Sequence, residues 1–411
     1  MTVAPAKARV GREAVHDPAL PRMPRLLDPE AMASVLERSL GRPAEVSAVR
    51  GAYLRYKPGT NLRVQYEVTL GEERHDAVVM IAAAADLARR ATKPENSAMA
   101  RAVAGRSPAR DPLVYDGELD ALIQWLPLDL ALPGLTEPPA RLRRRLRAAG
   151  LTLGTAAPEP SRLAYKPHRR AVLRLDGHVV KAYATERRYR AAEARLRAVS
   201  SSLGVATARF EAAIPALRVT AQRFVPGKPE SAWEAARTAG SVLRGIHVSP
   251  VSGLERLPPG RQLGAVAGFG EMVTAIAPRL RSRVERLVRR LEASSPDGLP
   301  LVPSHGDFHA GQLLCAGDEV AVIDFDEMRA APPALDLATY AAHELWGEED
   351  ELSVARALID ELVEGYGERP EGLDWYLAAM ILRRSSHPFR RMLEDWPERV
   401  EEMVRSAEEA L

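Results

Sequence analysis

Two segments of this 411-residue chain repeat one pattern. Residues 53–70 read YLRYKPGTNLRVQYEVTL, and residues 162–175 read RLAYKPHRRAVLRL. Both place an alternating stretch before a Tyr-Lys-Pro turn and a second alternating stretch after it. Alternation of apolar and polar residues on both sides of a turn predicts a β-hairpin. The chain is therefore expected to contain two related sheet units, one after the other.

The similarity continues after the hairpins. Residues 78–81 (VVMI) correspond to residues 179–182 (VVKA), so Met80 stands where Lys181 stands in the second copy. Further on, the stretch that begins at Gln124 corresponds loosely to the one that begins at Gln222. We interpret the first copy as a degenerate version of the second.

The length and charge of the chain limit its class. A chain of 411 residues exceeds what one core usually organises, which favours two or three domains. Lys and Arg number 57 and Asp and Glu number 55, so no overall field would recruit nucleic acid or an anionic membrane. A single cysteine, Cys315, rules out an internal disulfide framework and suits a reducing compartment.

Neither the first residues nor the longest apolar run of the chain predicts secretion or membrane insertion. The first residues, Met1 to Asp17, carry charges and lack an apolar core segment, which is not typical of a signal peptide. The longest apolar run, Ala77 to Ala85, is far shorter than the ~20 residues of a spanning helix. We expect a cytoplasmic protein whose first 24 residues form a disordered leader.

The predicted secondary structure changes along the chain. Residues 136–150 (TEPPARLRRRLRAAG) predict a linker helix with Leu142 and Leu146 on its buried side. After Pro226 the apolar residues recur at helical spacing. The expected parts are a leader (1–24), an N-terminal cap (25–135), a linker (136–150), a strand-rich lobe (151–226) and a helical lobe (227–411).

The strongest chemical signal is Ser304-His-Gly-Asp-Phe-His-Ala-Gly-Gln-Leu-Leu314, which is followed by the apolar run that ends at Asp324 and then by Asp336. Here a carboxylate lies in a loop, an amide follows five residues later, and a second carboxylate ends the next hairpin. Phosphoryl transfer needs such a set, because one acid orients the attacking hydroxyl while an amide and an acid hold magnesium on the nucleotide.

This segment resembles the aminoglycoside phosphotransferase and choline kinase family, whose members are relatives of the protein kinases. The family pattern is His-Gly-Asp, any residue, His, two residues and Asn, then a short hairpin with Ile-Asp and a further Asp. By resemblance, Asp307 is the catalytic base, Asp324 binds the metal, and Asp336 steadies the catalytic loop with the support of His305 and His309.

One position departs from the family pattern. Gln312 stands where the family has Asn, and it keeps the amide oxygen while adding one methylene. The Gln resembles the maltokinase and glucosamine kinase branch, whose members also carry an N-terminal cap. The resemblance implies that Gln312 and Asp324 hold Mg²⁺.

The resemblance extends upstream into the second hairpin. Lys181 ends an apolar strand and resembles the lysine that contacts the α- and β-phosphates of ATP. Glu193 resembles the helix acid that pairs with this lysine, and Glu186 is a competing candidate that comes very soon after the strand.

The expected hinge lies at residues 222–226. By resemblance it contacts adenine through backbone groups, and its residues are Gln222, Arg223 and Val225. No glycine-rich loop covers the phosphates. In its place Tyr165-Lys-Pro-His-Arg-Arg170 could cover them with its cations, or it could be a solvated hairpin tip.

The predicted fold is α+β: a bilobal protein-kinase-like fold with a cap that looks like a degenerate, duplicated N-lobe. The predicted activity is transfer of phosphate from ATP to a hydroxyl of a sugar or amino sugar, with Mg²⁺ as cofactor and with neither nucleic acid nor membrane as partner. An antibiotic phosphotransferase and a non-catalytic pseudokinase remain alternatives. Asp326 is either a second metal or substrate acid, or a polar turn residue.

Overall fold

The computed structural model describes residues 15–154, 159–257, 259–317 and 319–411. Two five-stranded antiparallel sheets with the same strand order come first, and a mainly helical lobe follows. We call residues 17–126 the first sheet unit, residues 129–223 the second sheet unit, and residues 232–410 the helical lobe. This is the α+β architecture expected from the sequence.

The first sheet unit has the strand order β1-β2-β3-β5-β4. Its elements are α1 (Met23–Leu26), α2 (Pro29–Ser39), β1 (Val46–Lys57), β2 (Asn61–Leu70), β3 (Glu73–Ala82), α3 (Leu87–Thr92), α4 (Pro94–Val103), β4 (Leu113–Asp116) and β5 (Ala121–Trp125). Alternating apolar residues of β2 and β3 fill the core beneath α2, as period-two strands require.

The second sheet unit has the strand order β6-β7-β8-β10-β9. Its elements are α5 (Pro133–Thr136), α6 (Pro139–Ala148), β6 (Ser161–Lys166), β7 (Arg170–Leu175), β8 (His178–Tyr183), α7 (Glu186–Ser202), β9 (Phe210–Ile214) and β10 (Val219–Arg223). Thr185 caps α7 by accepting a hydrogen bond from the backbone N–H of Arg188.

The helical lobe carries two short two-stranded sheets among its helices. Its elements are α8 (Ala232–His247), α9 (Pro259–Ile276), α10 (Arg281–Ala293), β11 (Val302–Ser304), β12 (Leu313–Ala316), β13 (Glu319–Val322), β14 (Arg329–Ala331), α11 (Ala334–His343), α12 (Glu351–Tyr366), α13 (Leu373–Arg384), α14 (His387–Arg390) and α15 (Trp396–Ala410). β11 pairs with β14 and β12 pairs with β13; the loop that carries Asp307 follows β11, and the turn that carries Asp324 follows β13. None of the helices in the described part of the chain is long and apolar enough to cross a bilayer.

The two sheets also agree in register. In the first sheet Met80 pairs with Arg63, and in the second sheet Lys181 pairs with Val172. Each of these pairs lies two positions from the residue that opens the second strand, Asn61 or Arg170. Met80 and Lys181 therefore occupy equivalent positions, as the sequence similarity predicts.

A carboxylate holds the Tyr-Lys-Pro turn in both sheets. Asp17 accepts hydrogen bonds from the hydroxyl of Tyr56 (2.8 Å) and the backbone N–H of Gly59 (2.8 Å). In the second sheet Asp129 accepts from the hydroxyl of Tyr165 (2.8 Å) and from the backbone N–H of the residue equivalent to Gly59 (2.9 Å). Both acids open similar segments, DPALP and DLALP, so each repeat begins at its aspartate.

These anchors correct two expected boundaries. Val15, Leu20 and Met23 are buried, so the described part of the expected leader packs against the first sheet; the rest of that leader, residues 1–14, lies outside the described residues. The expected linker 136–150 belongs to the second sheet unit, because Leu142 and Leu146 of α6 join the core of that sheet.

The first sheet unit touches both other parts of the molecule. Its Tyr56 meets Phe389 of α14 edge-on, with ring centroids 6.3 Å apart. Toward the second sheet, Gln124 donates a hydrogen bond of 2.7 Å to the ring nitrogen of His168, and Asp76 forms an ion pair with Arg162. The cap thus bridges the second sheet and the helical lobe.

Candidate active site

Asp336 organises the loop that follows β11. Its carboxylate accepts hydrogen bonds from the backbone N–H groups of His305 (2.7 Å) and Gly306 (2.8 Å), and His247 of α8 donates to it at 3.2 Å. Burial alone raises the pKa of Asp336, but the hydrogen bond from His247 and the loop amides hold its pKa below the usual value. An ionised, fully buried carboxylate therefore fixes the backbone of the loop.

The other loop residues are equally constrained. The ring of His305 donates a hydrogen bond of 2.9 Å to the carbonyl of Ile323 and packs against Phe308 and Phe325. Gly306 has a φ of +82°, and a Cβ there would come within 2.4 Å of the carbonyl oxygen of Glu327. Only glycine fits at this position.

Asp307 follows at the end of the braced turn, with 39% of its side chain exposed. The guanidinium of Arg383 from α13 lies 3.6 Å from its carboxylate. Burial raises the pKa of Asp307, whereas the charge of Arg383 lowers it, and the balance leaves its pKa below the usual value. Asp307 is therefore an ionised acceptor for a proton or hydroxyl group in the cleft.

Asp324 lies at the end of β13 in a left-handed backbone conformation, with a φ of +68°. Arg170 binds it with both guanidinium nitrogens, at 2.8 Å and 2.9 Å, and Lys181 binds it at 2.7 Å. Burial opposes ionisation, but Lys181 and Arg170 hold the pKa of Asp324 well below its usual range. A strained acidic residue at the cleft is typical of functional sites.

Asp326 shares both cations with Asp324. Its carboxylate lies 2.8 Å from Arg170 and 3.0 Å from Lys181, and the hydroxyl of Tyr183 donates to it at 3.3 Å. Of the two possibilities that the sequence left open, the structure places Asp326 inside the charged cluster and not on a solvated turn.

The predicted pairing of Lys181 with Glu193 is wrong. Glu193 pairs with Arg197 one turn further along α7, at 2.8 Å, while Lys181 contacts Asp324 and Asp326. The competing candidate, Glu186, pairs with Arg190. Each acid pairs with an arginine of its own helix, so neither is the acid that holds the lysine.

Gln312 lies beside the metal-binding candidate. The backbone N–H of Ile323 donates a hydrogen bond of 3.0 Å to its carbonyl, which ties the catalytic loop to the strand end before Asp324. Its side-chain amide donates to His309 at 3.1 Å, and that ring stacks on His343 with centroids 3.9 Å apart. Burial lowers the pKa of His309 to about 3, so this ring is neutral at physiological pH and accepts the amide hydrogen bond.

The donor atoms in this corner suit magnesium. Asp324 and Asp326 supply carboxylate oxygens, and hard oxygen donors are what Mg²⁺ prefers. Gln312 carries an amide oxygen and is tied to this corner by the backbone bond from Ile323. The ionised state of Asp324 adds the negative charge that such a site requires. The residues present therefore fit the cofactor that the sequence suggests.

The expected hinge connects β10 to the helical lobe. Gln222 turns its side chain into the second sheet unit and donates a hydrogen bond of 3.0 Å to the carbonyl of Ala208, so only its backbone is available for a ligand. Arg223 reaches Glu211 at 3.8 Å. Val225 lies in the irregular segment between β10 and α8.

A cavity of about 250 Å³ opens between the tip of the β6–β7 hairpin, the inner side of α7 and the catalytic loop. We call it the basic pocket, because nine of its lining side chains are cationic and five are acidic: Lys166, Arg169, Arg170, Arg187, Arg188, Arg195, Arg256, Arg261 and Arg329, against Glu255, Asp307, Asp324, Asp326 and Glu327. Sequence reasoning missed most of these arginines, because they come from four separate segments and form no local motif.

A second cavity of about 230 Å³ shares Leu257 and Arg329 with the basic pocket. Its wall is largely aromatic and apolar, and it includes Phe269, Trp375 and Arg383. The Trp375 side chain is held in place by its N–H, which donates to the carbonyl of Leu291 at 2.8 Å. Both cavities meet near the catalytic loop.

This chain is similar to several known proteins. A curated glucosamine kinase from Streptacidiphilus jiangxiensis is 40% identical over 82 residues; the match spans 18% of this chain and 17% of that protein. A choline/ethanolamine kinase family protein from Mesorhizobium loti is 17% identical, with 65% of this chain and 93% of that chain covered and a TM-score of 0.46. A macrolide 2'-phosphotransferase from Brachybacterium faecium is 24% identical, with 67% of this chain and 98% of that chain covered and a TM-score of 0.43.

A family model matches just over half of the chain. The model of the phosphotransferase enzyme family (APH) matches residues 166–376, which run from the tip of the β6–β7 hairpin through the catalytic loop to α13. The matched range contains Lys181, Asp307, Gln312, Asp324 and Asp336. This chain therefore belongs to the phosphotransferase enzyme family.

Proposed function

We propose that this protein transfers the γ-phosphoryl group of ATP to a hydroxyl group of a sugar or amino sugar. The observation that carries the proposal is Asp307, an ionised carboxylate at the mouth of the cleft on a loop that Asp336 fixes. The partial likeness to a glucosamine kinase supports a sugar-like acceptor.

In this proposal Asp307 acts on the acceptor alone. It accepts a hydrogen bond from the attacking hydroxyl, orients its oxygen toward the γ-phosphorus, and takes its proton as the new P–O bond forms. The contact with Arg383 keeps Asp307 ionised without a direct, short hydrogen bond, because the two groups are 3.6 Å apart.

Asp324, Asp326 and Gln312 would hold Mg²⁺ in the same site. The ion, when bound, neutralises charge on the nucleotide phosphates. Lys181 and Arg170 would contact the phosphates, since both cations already lie in the cleft beside these carboxylates. The backbone of residues 222–225 would contact the adenine. We also propose a cytoplasmic location, where ATP is available and the single Cys315 stays reduced.

One observation favours a second candidate, a pseudokinase that binds nucleotide or a partner without turnover. Arg170 and Lys181 cover both carboxylates that would bind the metal, and Arg170 does so with both of its terminal nitrogens. A protein that kept this arrangement with nucleotide present would not assemble a magnesium site.

The deciding experiment compares Asp307→Asn with the wild-type protein by ADP release in the presence of Mg²⁺ and a panel of sugars. We expect a ~10²–10⁴-fold loss of kcat with little change in ATP affinity, because the base contacts the acceptor and not the nucleotide. Arg190→Ala, on the exposed side of α7, is the matched control and should turn over normally. Near-native turnover by Asp307→Asn would reject the assignment.

Calorimetry separates the two candidates. The kinase proposal expects ATP affinity to rise on addition of Mg²⁺, and it expects Asp324→Asn to remove most of that rise. Binding of ATP that is indifferent to Mg²⁺, together with no phosphorylated product from any acceptor, would favour the pseudokinase.

A further inference from the structure

We propose that the acceptor is an anion, a hydroxyl compound that carries a phosphate or carboxylate group, and that the basic pocket holds this group while Asp307 engages the hydroxyl. The inference rests on the proposed function and names the substrate class of the same site. It differs from the neutral or mono-amino sugar that the sequence motifs favoured.

The register of the second sheet places the basic pocket on the acceptor side of the nucleotide. Counting from the hinge, Gln222 pairs with Val179, Thr220 pairs with Lys181, and Tyr183 pairs with Arg170 at the base of the hairpin tip. A nucleotide with its base at the hinge and its phosphates at Lys181 thus points its γ-phosphoryl group toward the tip. The lining of the basic pocket includes the tip and Asp307 but none of the expected hinge residues.

Part of the positive charge in this pocket has no acidic partner. Five cations pair with acids of the pocket: Arg170 with Asp324 and Asp326, Arg169 and Arg329 with Glu327, and Arg195 and Arg261 with Glu255. Among the residues that the structure describes, the other four cations of the pocket form no ion pair, and they come from the hairpin tip, from α7 and from the segment before α9: Lys166, Arg187, Arg188 and Arg256. Converging cations without a carboxylate are what an anionic ligand requires.

The surroundings of the pocket add to this charge. Burial lowers the pKa of Arg390 from α14, and the nearby charges of Arg169, Arg383 and Arg55 lower it further. Burial lowers the pKa of Lys166 as well; Arg170 and Arg169 act in the same direction, whereas Asp307 and Asp324 oppose the shift. Cations from the cap, the hairpin tip and the helical lobe therefore crowd together around the cleft, and a bound anion would relieve their repulsion.

The charge also argues against polycationic acceptors. An antibiotic with several ammonium groups would meet nine cationic side chains in this pocket, whereas a phosphate or carboxylate matches the planar donor sets of the arginines. In the reaction, the bond from the γ-phosphorus to its bridging oxygen breaks and a bond to the acceptor oxygen forms. The hydroxyl proton passes to Asp307, ADP leaves, and the anionic group of the acceptor is unchanged.

The first test compares sugars that share a ring but differ in whether C6 carries a hydroxyl or an anionic group. Glucosamine is paired with glucosamine 6-phosphate, glucose with glucuronate, and kanamycin is the polycation, with ADP release as the readout. We expect at least one anionic member to have a KM roughly tenfold or more below that of its neutral counterpart, as charged hydrogen bonds allow. The two pairs also distinguish phosphate from carboxylate.

The second test removes two of the unpaired arginines. In Arg188→Ala and Arg256→Ala, we expect the KM of the anionic acceptor to rise roughly tenfold while the KM values of its neutral counterpart and of ATP stay unchanged. Arg190→Ala removes a cation from the outer side of the same helix, where Arg190 pairs with Glu186, and is expected to change none of these constants. An increase in the KM of ATP alone would assign these arginines to the nucleotide and overturn the proposal.

Direct binding covers the case in which no sugar of the panel is turned over. The wild-type protein is saturated with Mg²⁺ and a non-hydrolysable ATP analogue, and each sugar is titrated by calorimetry, so the phosphate site is already filled. Stronger binding of the anionic members, weakened in Arg188→Ala, would support the inference. Equal or weaker binding of the anions would overturn it, while efficient turnover of neutral sugars or kanamycin would overturn it and leave the phosphotransferase function intact.

Discussion

The two sheet units share a topology but differ at the positions that matter for chemistry. Both have the same strand order, the same hairpin register and an aspartate that holds the Tyr-Lys-Pro turn. Where the second unit has Lys181 and Arg170, the first has Met80 and Asn61. The comparison teaches that the hairpin framework needs the turn and its aspartate, whereas the charged pair serves the cleft.

The segment after the third strand also differs between the two units: it is one long helix in the second unit and two short helices in the first. In the second unit α7 runs for 17 residues and presents arginines to the basic pocket. In the first unit Pro94 divides the corresponding stretch into α3 and α4, because the residue before a proline is pushed out of the helical region, here to a ψ of 133°. Met80 packs against Leu87 and Val103 of these short helices, so the face that binds charge in one unit is a dry core in the other.

The largest effect is expected when Lys181 of the second unit is replaced by methionine, the residue at the equivalent position of the first unit. Lys181→Met should reduce kcat/KM by ~10²–10³-fold, because a cation that stabilises developing phosphate charge is lost. The readout is ADP release with Mg²⁺, and circular dichroism should show that the variant stays folded, since Arg170 still neutralises Asp324. Activity within about threefold of wild type would remove Lys181 from the site.

The reverse exchange tests the dry core. Met80→Lys buries an ammonium group among Leu87, Val103 and Leu122, and it should lower the free energy of unfolding by ~3–5 kcal/mol. Urea denaturation is the measurement, with Met80→Leu as a control that should cost less than ~1.5 kcal/mol. A loss of stability for Met80→Lys as small as that of the control would show that this face is accessible to water.

The two turn aspartates allow a matched pair. Asp17→Asn and Asp129→Asn should each lower the free energy of unfolding by ~1.5–3 kcal/mol, since each weakens charged hydrogen bonds to a tyrosine hydroxyl and a turn amide. Only Asp129→Asn should also raise the KM for ATP, because its turn leads into Arg170. Equal kinetic effects in both variants would mean that the cap turn contributes directly to the site.

The smallest expected effect concerns pH. Burial lowers the pKa of His168 to about 4, while the nearby Asp129 opposes this shift. Because the pKa of His168 is lower in the folded state, the free energy of unfolding falls as the pH drops from near 6.5, the pKa in the unfolded chain, toward 4. In this range only the unfolded chain gains the proton. The loss is of the order of 1 kcal/mol at pH 5.5.

Replacing the histidine tests this origin. His168 has a φ of +52°, which asparagine tolerates, so His168→Asn should fold and should flatten the stability profile between pH 6.5 and 4.5. The measurement is urea denaturation at several pH values. An unchanged slope in His168→Asn would place the titrating group elsewhere.

Much of this molecule was predictable because its signals are local. The Tyr-Lys-Pro turns predicted both hairpins, and the spacing from His305 to Asp336 predicted the catalytic loop, since each feature is written in consecutive residues. Glu193 was assigned wrongly as the partner of Lys181, because distance along the chain does not say which side of a helix faces the cleft. The leader and linker boundaries missed the anchoring role of Asp17 and Asp129, which is visible only once each carboxylate meets its turn.

The sequence by itself determined the strand pattern of the two sheets, the loop that carries Asp307, and membership in a family whose chemistry needs these acids. Tertiary structure decided which charges meet. Arg170 and Asp324 are separated by 154 positions in the sequence, and the unpaired cations of the basic pocket come from three separate segments. Coulomb interactions depend on distance in space and on burial, so the charge of a site emerges only when the lobes are packed together.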